Sequence, residues 1–485
     1  MSISAAFASA VSGLRATARQ ADVLSSNVAN ATTPGYAKRE VLLSAQNAGG
    51  AGQGVRVDGV SRDVNLFLLN DRRAAQAGAA NAGIQADFLK RLESIIGDPA
   101  GDGSLVSRVD RFDAALIAAA SRPESEAALN AATDAARGLA DGLRAASDRV
   151  QAERLAADGG IGNAVDRLND SLKRVEELNA SIVTATASGH DATALMDQRA
   201  RLVDEISGLV PVRELARPNN TIALVTAGGA VLVDGKAARF GFTPAGAMSP
   251  DANISSGALS GLQLNGRDIS TTGSSSLIRG GELEGLFQIR DDLAVTGQQQ
   301  LDTLARDLIE RFSASGLDPT LAPGAAGLFT DEGASFVPAD ETGIAARITL
   351  NGAVDPSNGG AVWKLRDGLG ASAPGPAGYA GILNALSSQI QTYSPTGSGA
   401  VSPGARNLSG LAAEILSMTS VSRLSAADEQ AFRNAKLNSL SDQEAARGVN
   451  IDEEMQSLLV LEKTYAANAR VIRALDEMLA NLLGI

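Results

Sequence analysis

The last stretch of the chain, Gly448 to Ile485, repeats apolar side chains every seven positions. Ile451, Leu458, Tyr465, Ile472 and Leu479 fall in one column, and Leu461, Leu475 and Leu482 fall in a second that Glu454 and Asn468 interrupt. A seven-residue repeat kept this long is the pattern of a helix that lies along another helix, because 3.5 residues per turn holds one stripe against one neighbour. Asn450 is placed to cap its start, with Glu453 at the capping-box position. Asp452, Glu453 and Glu454 crowd the first turn, where the helix dipole favours negative charge. No Gly or Pro interrupts the run before Gly484, so from Asn450 to Leu483 the helix extends roughly 50 Å at about 1.5 Å per residue. Taken on periodicity alone, it also suits a core helix of a globular domain.

A complementary stripe stands at the other end. Ile3, Phe7, Ala10, Leu14, Thr17, Ala21, Leu24 and Val28 follow steps of four and three, and several are small enough to let a second helix approach closely. The run SNVANATTPGYAKRE then turns the chain. A residue before proline is pushed out of the helical region, and Pro34-Gly35, followed by Tyr36, suits the centre of a type II turn. A long helix therefore ends near Asn30, and the chain leaves one place and returns to it.

Composition bounds what lies between. The 485 residues suggest about three domains. A hydrophobic fraction of 44% and a mean hydropathy of +0.01 carry no run approaching a membrane span. A net charge of −13 argues against a nucleic-acid groove. No cysteine is present, so disulfides and thiolate metal sites are excluded. The start MSISAAFASAVSGLRAT lacks the basic segment and continuous apolar core of a cleaved secretory signal, and composition alone would place the chain in the cytoplasm.

Ala37–Leu43 and VRVDGV (55–60) read as strands around a Gly-rich loop at 48–54. From Asp63 to Val210 the pattern is that of long helices: one reaching Gly97-Asp98-Pro99, then Ser104–Ser121, Glu124–Asp158, Ala164–Ser188 and Ala192–Leu209. Pro211 to Gly281 reads as a small β insertion, with TIALVT and AVLVDG around a Gly228-Gly229 hairpin. Leu283–Ser313 is helical again. Gly316 to about Gly404 reads as a second β and loop-rich region with ARITLNG and AVWKLRD as brief strands, and Leu408–Ala446 leads into the terminal helix.

Chemistry is sparsely supplied. His190, the one histidine, sits between Gly189 and Asp191 at a helix break, where a loop residue outweighs a general base. No phosphate loop or nucleophile elbow occurs. Asp452, Glu453 and Glu454 are consecutive and so do not share a helix face, which favours capping over cation binding. Trp363 and Tyr379 read as isolated aromatics rather than a binding patch. These readings predict no catalytic residue, cofactor or metal.

SNVANATTPGYAKRE resembles the amino-terminal signature of bacterial flagellar axial proteins, and GVNIDEE followed by LEKTYAANARVI is similar, more narrowly, to the flagellar hook-associated protein 1 family. Weaker echoes lie at LMDQRARLVDEISGLVPV (195–212) and RGGELEGLFQIRDDL (279–293). The resemblance implies an α+β, mainly α fold with terminal coiled-coil helices, a long-helix bundle and small β-rich insertions. The expected domains are 1–62 with 425–485 as axial core, 63–210 with 282–315 and 405–424 as bundle, 211–281 as β insertion, and 316–404 as the second β region. The implied function is a non-enzymatic adaptor ring joining hook to filament, outside the cell, reached through the flagellar type III export route. Implied partners are further copies of the chain, hook protein, the second junction protein and an export chaperone, with neither nucleic acid nor membrane. The assembly residues it implies are Ile3, Phe7, Leu14, Leu24, Val28, Pro34, Gly35, Tyr36, Ile451, Leu458, Leu461, Tyr465, Ile472, Leu475, Leu479 and Leu482. A hook or rod subunit is the same-class alternative; a secreted coiled-coil effector or an enzyme without a recognisable site is the alternative from another class.

Overall fold

The computed structural model describes residues 3–483 apart from 34, 49–50, 98–100, 102, 274 and 397–398. Helix α1 (Ile3–Asn30) is followed by an antiparallel hairpin, β1 (Arg39–Ala48) with β2 (Ala51–Arg62). Most of the segment expected as a Gly-rich loop at 48–54 is thus strand. Gly54 takes φ +103 against α1, where a side chain would run into Ser12, and the Ser12 hydroxyl oxygen accepts the Val55 N–H at 3.1 Å.

Four helices follow: α2 (Leu66–Ile96), α3 (Leu105–Ser121), α4 (Glu126–Ala187) and α5 (Thr193–Leu209). Side chains of Asn65, Ser104 and Ser125 accept the free N–H groups at the starts of α2, α3 and α4. The two helices expected at 124–158 and 164–188 are one helix of 62 residues, roughly 90 Å long at about 1.5 Å per residue. The GGIGN run between them is not a break but a place of close approach. A Cβ on Gly160 would stand 3.1 Å from Leu286, and one on Gly162 would stand 2.7 Å from Pro244. The missing side chains let neighbouring segments lie directly on the helix.

The β insertion comprises a four-stranded antiparallel sheet, β3 (Val212–Ala216), β4 (Ile222–Thr226), β5 (Val231–Asp234) and β6 (Lys236–Ala237), and a three-stranded one, β7 (Phe240–Gly241), β8 (Leu262–Leu264) and β9 (Arg267–Ile269). Helix α6 (Glu282–Gln288) then runs through a π turn at Ile289–Leu293 into α7 (Ala294–Phe312). The next region holds β10 (Phe329–Asp331), α8 (Ile344–Arg347), β11 (Ile348–Leu350), α9 (Lys364–Asp367), α10 (Gly381–Gln391), β12 (Ser394–Pro395) and β13 (Ala405–Arg406). AVWKLRD, expected as a strand, contributes the helical turn α9, and α10 was not expected at all. α9 is a single turn with one buried apolar side chain, Leu365, too short to distinguish from a strand. Ile382, Leu383, Leu386 and Ile390 of α10, in contrast, follow a helical period that the surrounding Gly/Pro-rich composition obscured. Finally come α11 (Leu408–Ala445) and α12 (Ile451–Leu483).

Two cores result. The first gathers α2, α3, the first half of α4, α7 and the start of α11, and takes Phe329, Ile348, Leu365 and Leu386 into the same cluster. At its centre Phe112, Phe312 and Phe329 pack ring to ring at 5.3–5.8 Å. The second gathers the later half of α4, α5, α6 and the β3–β5 and β8 strands. Buried arginines join the two. Arg290, on the π turn and fully buried, pairs with buried Asp158 of α4 at 2.7 Å and lies 4.9 Å from the Phe287 ring. Arg154 donates to the carbonyls of Arg290, Ser249 and Ala252 at 2.9–3.1 Å. No helix of the described residues is long and apolar enough to cross a membrane.

Candidate assembly interface

The two ends of the chain meet. α12 lies antiparallel on α1, as two contacts fix: Asn27 beside Glu454, and Gly13 beside Asn468. A Cβ on Gly13 would stand 2.9 Å from the Asn468 side-chain nitrogen, so the glycine makes room for that amide. Asn450 caps α12, its side-chain oxygen accepting the Asp452 and Glu453 N–H groups at 3.0 and 3.4 Å.

The most deeply buried contacts of this pair are polar. Asn27, 1% exposed, accepts the Tyr36 hydroxyl and the Arg39 N–H at 2.8 and 3.0 Å through its oxygen. Through its nitrogen it donates to the Arg39 carbonyl and to the Glu454 carboxylate, both at 3.0 Å. Glu454, 3% exposed, also pairs with Lys38 at 3.3 Å. The network continues into the bundle: Arg39 and Arg62 flank Asp197 of α5 at 2.7 and 2.8 Å, and Arg19 of α1 meets Asp191 at 3.0 Å. Burial pulls the Arg62 guanidinium below its ordinary range while Asp197 opposes that, and it brings Arg199 down to about 10. The turn places Gly35 at φ +76, with the Tyr36 N–H donating to the Thr33 carbonyl at 3.1 Å, the geometry expected for a Pro-Gly centre. Pro34 itself lies outside the described residues.

Of the apolar seam residues, Leu475 is buried, and Leu458, Leu461 and Ile472 are half-buried. Ile451, Tyr465 and Leu479 are exposed, so one heptad column faces α1 while the other is partly open. On α1, Ile3, Leu14, Leu24 and Val28 are half-buried and Phe7 is exposed; its buried positions are Ala10, Ala16, Thr17, Val23 and Asn27. The side chain of Leu482 lies outside the described residues. Val460, Val471 and Met478 add a further exposed stripe on α12, and between Ser420 and Glu453 no described residue is buried. The partner of the terminal seam is therefore, in large part, the chain's own amino-terminal helix, and what remains open is the outer column. Sequence reading missed Asn27, Lys38 and Gly13. The available signal was that Glu454 and Asn468 interrupt an apolar column fourteen residues apart, which calls for polar or small partners at the same spacing. His190 is exposed in the α4–α5 loop, and among the described residues no group of three or more carboxylates and histidines could hold a metal ion.

Comparison with known proteins agrees with this layout. Residues 89–325 match the flagellar hook-associated protein FlgK helical domain, residues 446–485 the C-terminal family of flagellar basal body rod FlgEFG proteins, and residues 7–36 the flagella basal body rod protein family. The flagellar hook-associated protein 1 of Salmonella typhimurium is 29% identical over 237 residues, which is 47% of this chain and 42% of that protein's length. The matched stretch thus spans less than half of that relative. The protein of the same name from Bacillus subtilis is 22% identical over 94% of this chain and 93% of its own. The flagellar hook junction protein FlgK from Burkholderia pseudomallei has a TM-score of 0.42 and 21% identity, covering 54% of this chain and 46% of that one. With rod-type models at both ends, a hook-associated model over the helical middle between them, and a Bacillus subtilis hook-associated protein 1 aligned along nearly the whole chain, the chain is similar over nearly its full length to the flagellar hook-associated protein 1 family.

Proposed function

We propose that the chain is a structural subunit of the bacterial flagellum, without catalytic activity, that forms a ring joining hook to filament. The observation that carries this reading is the contrast between a closed bundle and a terminal pair whose outer apolar column (Ile451, Tyr465, Leu479) is left exposed. Such a column on a helix already bound to α1 suits side-by-side packing with the same pair of a neighbouring copy, and repetition of that heterologous contact builds a tube or ring. The FlgK-type helical middle favours a junction over a hook or rod subunit, whose models match only the ends.

In this reading the partners are further copies of the chain, hook protein below, the second junction protein above, and an export chaperone before assembly. The place of action is outside the cell, reached by the flagellar export route. The test is to add the purified chain to isolated hooks that lack their junction proteins. A cap of fixed length, seen by electron microscopy, that then permits filament growth is the expected result. Indefinite extension of the hook would make the chain a hook-type subunit, and no binding to hooks would overturn the reading.

A further inference from the structure

The two polar contacts of the terminal seam share a spacing. Fourteen residues, two heptads, separate Gly13 from Asn27 on α1, and fourteen separate Glu454 from Asn468 on α12. Both contacts therefore belong to one antiparallel register, which sets Gln20 against Leu461 midway between them. The apolar residues cannot choose this register by themselves. Leu461 and Leu475 stand two heptads apart and Leu458, Tyr465 and Ile472 repeat every seven, so a slide of seven residues again lays apolar side chains along α1.

The polar residues do discriminate. A slide in one direction brings Leu461 to Asn27 and Leu475 to Gly13. One N–H of the buried Asn27 amide then faces hydrocarbon, and a leucine occupies the place that the glycine keeps for a smaller amide. A slide in the other direction moves Glu454 to Gln20, away from Lys38 and Asn27, and brings Leu461 to Gly13. In both cases Asn27 is still held by the Tyr36 hydroxyl and the Arg39 backbone, so it cannot turn to follow its partner. Leaving such a group buried and unmatched is costly, which is how a single polar position fixes register in a helix pair.

We propose that Asn27, Glu454 and Lys38 at one end of the seam, with Gly13 and Asn468 two heptads away, form a register key that selects one of the heptad-spaced alignments of the terminal helices. Because Asn27 also grips Arg39, and Arg39 pairs with Asp197 of α5, the selected register is referred to the bundle rather than floating. The key does not rest on the flagellar reading; only its consequence does, namely that every copy presents its outer column at the same height.

The chain has no cysteine, so engineered pairs can report the alignment. Gln20→Cys with Leu461→Cys reports the observed register, and Val23→Cys with Tyr465→Cys, which leaves every residue of the key in place, reports the alignment shifted by one heptad. Each pair is placed in the full-length chain, with and without Asn27→Leu plus Glu454→Leu. Intramolecular disulfide formation under mild oxidation is read by gel mobility, and helix content by circular dichroism. The expected result is ready cross-linking of the first pair in the parent. In the leucine background it falls at least fivefold, the shifted pair gains, and helix content is kept. Glu454→Gln, whose amide can still face Asn27, should retain the parent pattern. Equal cross-linking of the first pair in both backgrounds overturns the proposal, as does its absence from the parent. Loss of cross-links together with helix signal also overturns it, because the contacts would then hold the pair together rather than choose its alignment. Hook binding is measured separately, so a correct register without capping would count against the junction reading alone.

Discussion

Leu475→Asp separates the terminal pair from the bundle. Leu475, 8% exposed, is the most buried apolar side chain described on α12. Removing it forfeits about 2–3 kcal/mol of apolar burial, and a carboxylate in its place adds a desolvation cost of several kcal/mol. The molecule need not bear all of that. The main packing of α12 among the described residues is with α1, and its other deeply buried side chain is Glu454. Opening the pair therefore exposes the new charge and disturbs neither core, which caps the loss at the small stability of the pair itself. The expected outcome is a loss of helical signal at 25 °C and rapid protease cleavage beyond residue 450. The main melting midpoint should stay within about 2 °C, because a domain of this size loses roughly 2–4 °C for each kcal/mol. Hook capping should be abolished. Glu462→Ala, at an exposed position beside the seam, is the control and should change little, since an exposed charge contributes under about 1 kcal/mol. A fall of 5 °C or more in the main transition, with no earlier loss of helix, would refute the reasoning: α12 would then belong to the cooperative core.

Three further outcomes are expected. Asp158→Ala should cost the bundle about 3–5 kcal/mol in urea unfolding, because it leaves the fully buried Arg290 without its α4 partner. Asp302→Asn should destabilise by about 1–3 kcal/mol, since its carboxylate accepts the Gly343 and Ala345 N–H groups and an amide cannot accept both as well. Burial raises the folded carboxyl of Asp302, so the native state holds that proton more tightly than the unfolded chain. Its contribution is thus fully present at low pH and is lost as pH rises through the folded pKa, so the deficit of Asp302→Asn should narrow as pH rises above the ordinary carboxylate range. His190→Ala, in an exposed loop, should leave swimming and melting unchanged; a motility defect in a normally exported variant would count against a purely structural role.

The parts that were legible in the sequence are those in which one period runs long enough to name its own geometry. The heptads of α12, the stripe of α1, the TPGY turn and the two β4–β5 strands around Gly228-Gly229 belong here. What escaped is what depends on a neighbour. GGIGN reads as a helix break on propensity, because each glycine costs helix up to about 1 kcal/mol, yet α4 runs through it where Leu286 and Pro244 lie against its surface. The 316–404 segment shows Gly and Pro but not that its Phe329 and Leu386 complete the bundle's own core. Asn27 was visible only as one letter of a motif. Its role requires Arg39, twelve residues on, and Glu454, at the far end of the chain, to arrive together.

The two ways in which parts of this molecule are joined carry different mechanical consequences. The β insertion is fastened to the bundle by Arg154 and Arg290, both buried, with the π turn at Ile289–Leu293 supplying one of them. A π turn holds an extra residue within the helix and so shifts the face that a side chain presents, and here it carries Arg290 inward to Asp158. Moving that joint would strand buried charge, so the bundle and its insertion respond to force as one body. The terminal pair is joined instead through the hairpin and a few polar contacts: Arg39 and Arg62 on buried Asp197, and the exposed Arg19 on Asp191. The Arg19–Asp191 pair is exposed and exchanges readily with water. Asp197, in contrast, is buried beneath Arg39 and Arg62, so the α1–α12 seam is anchored to the bundle at one buried point and any change of its angle pivots there. On the proposed junction role, a pair held at one buried point would let the terminal helices follow a neighbour's bend while the bundle keeps its shape.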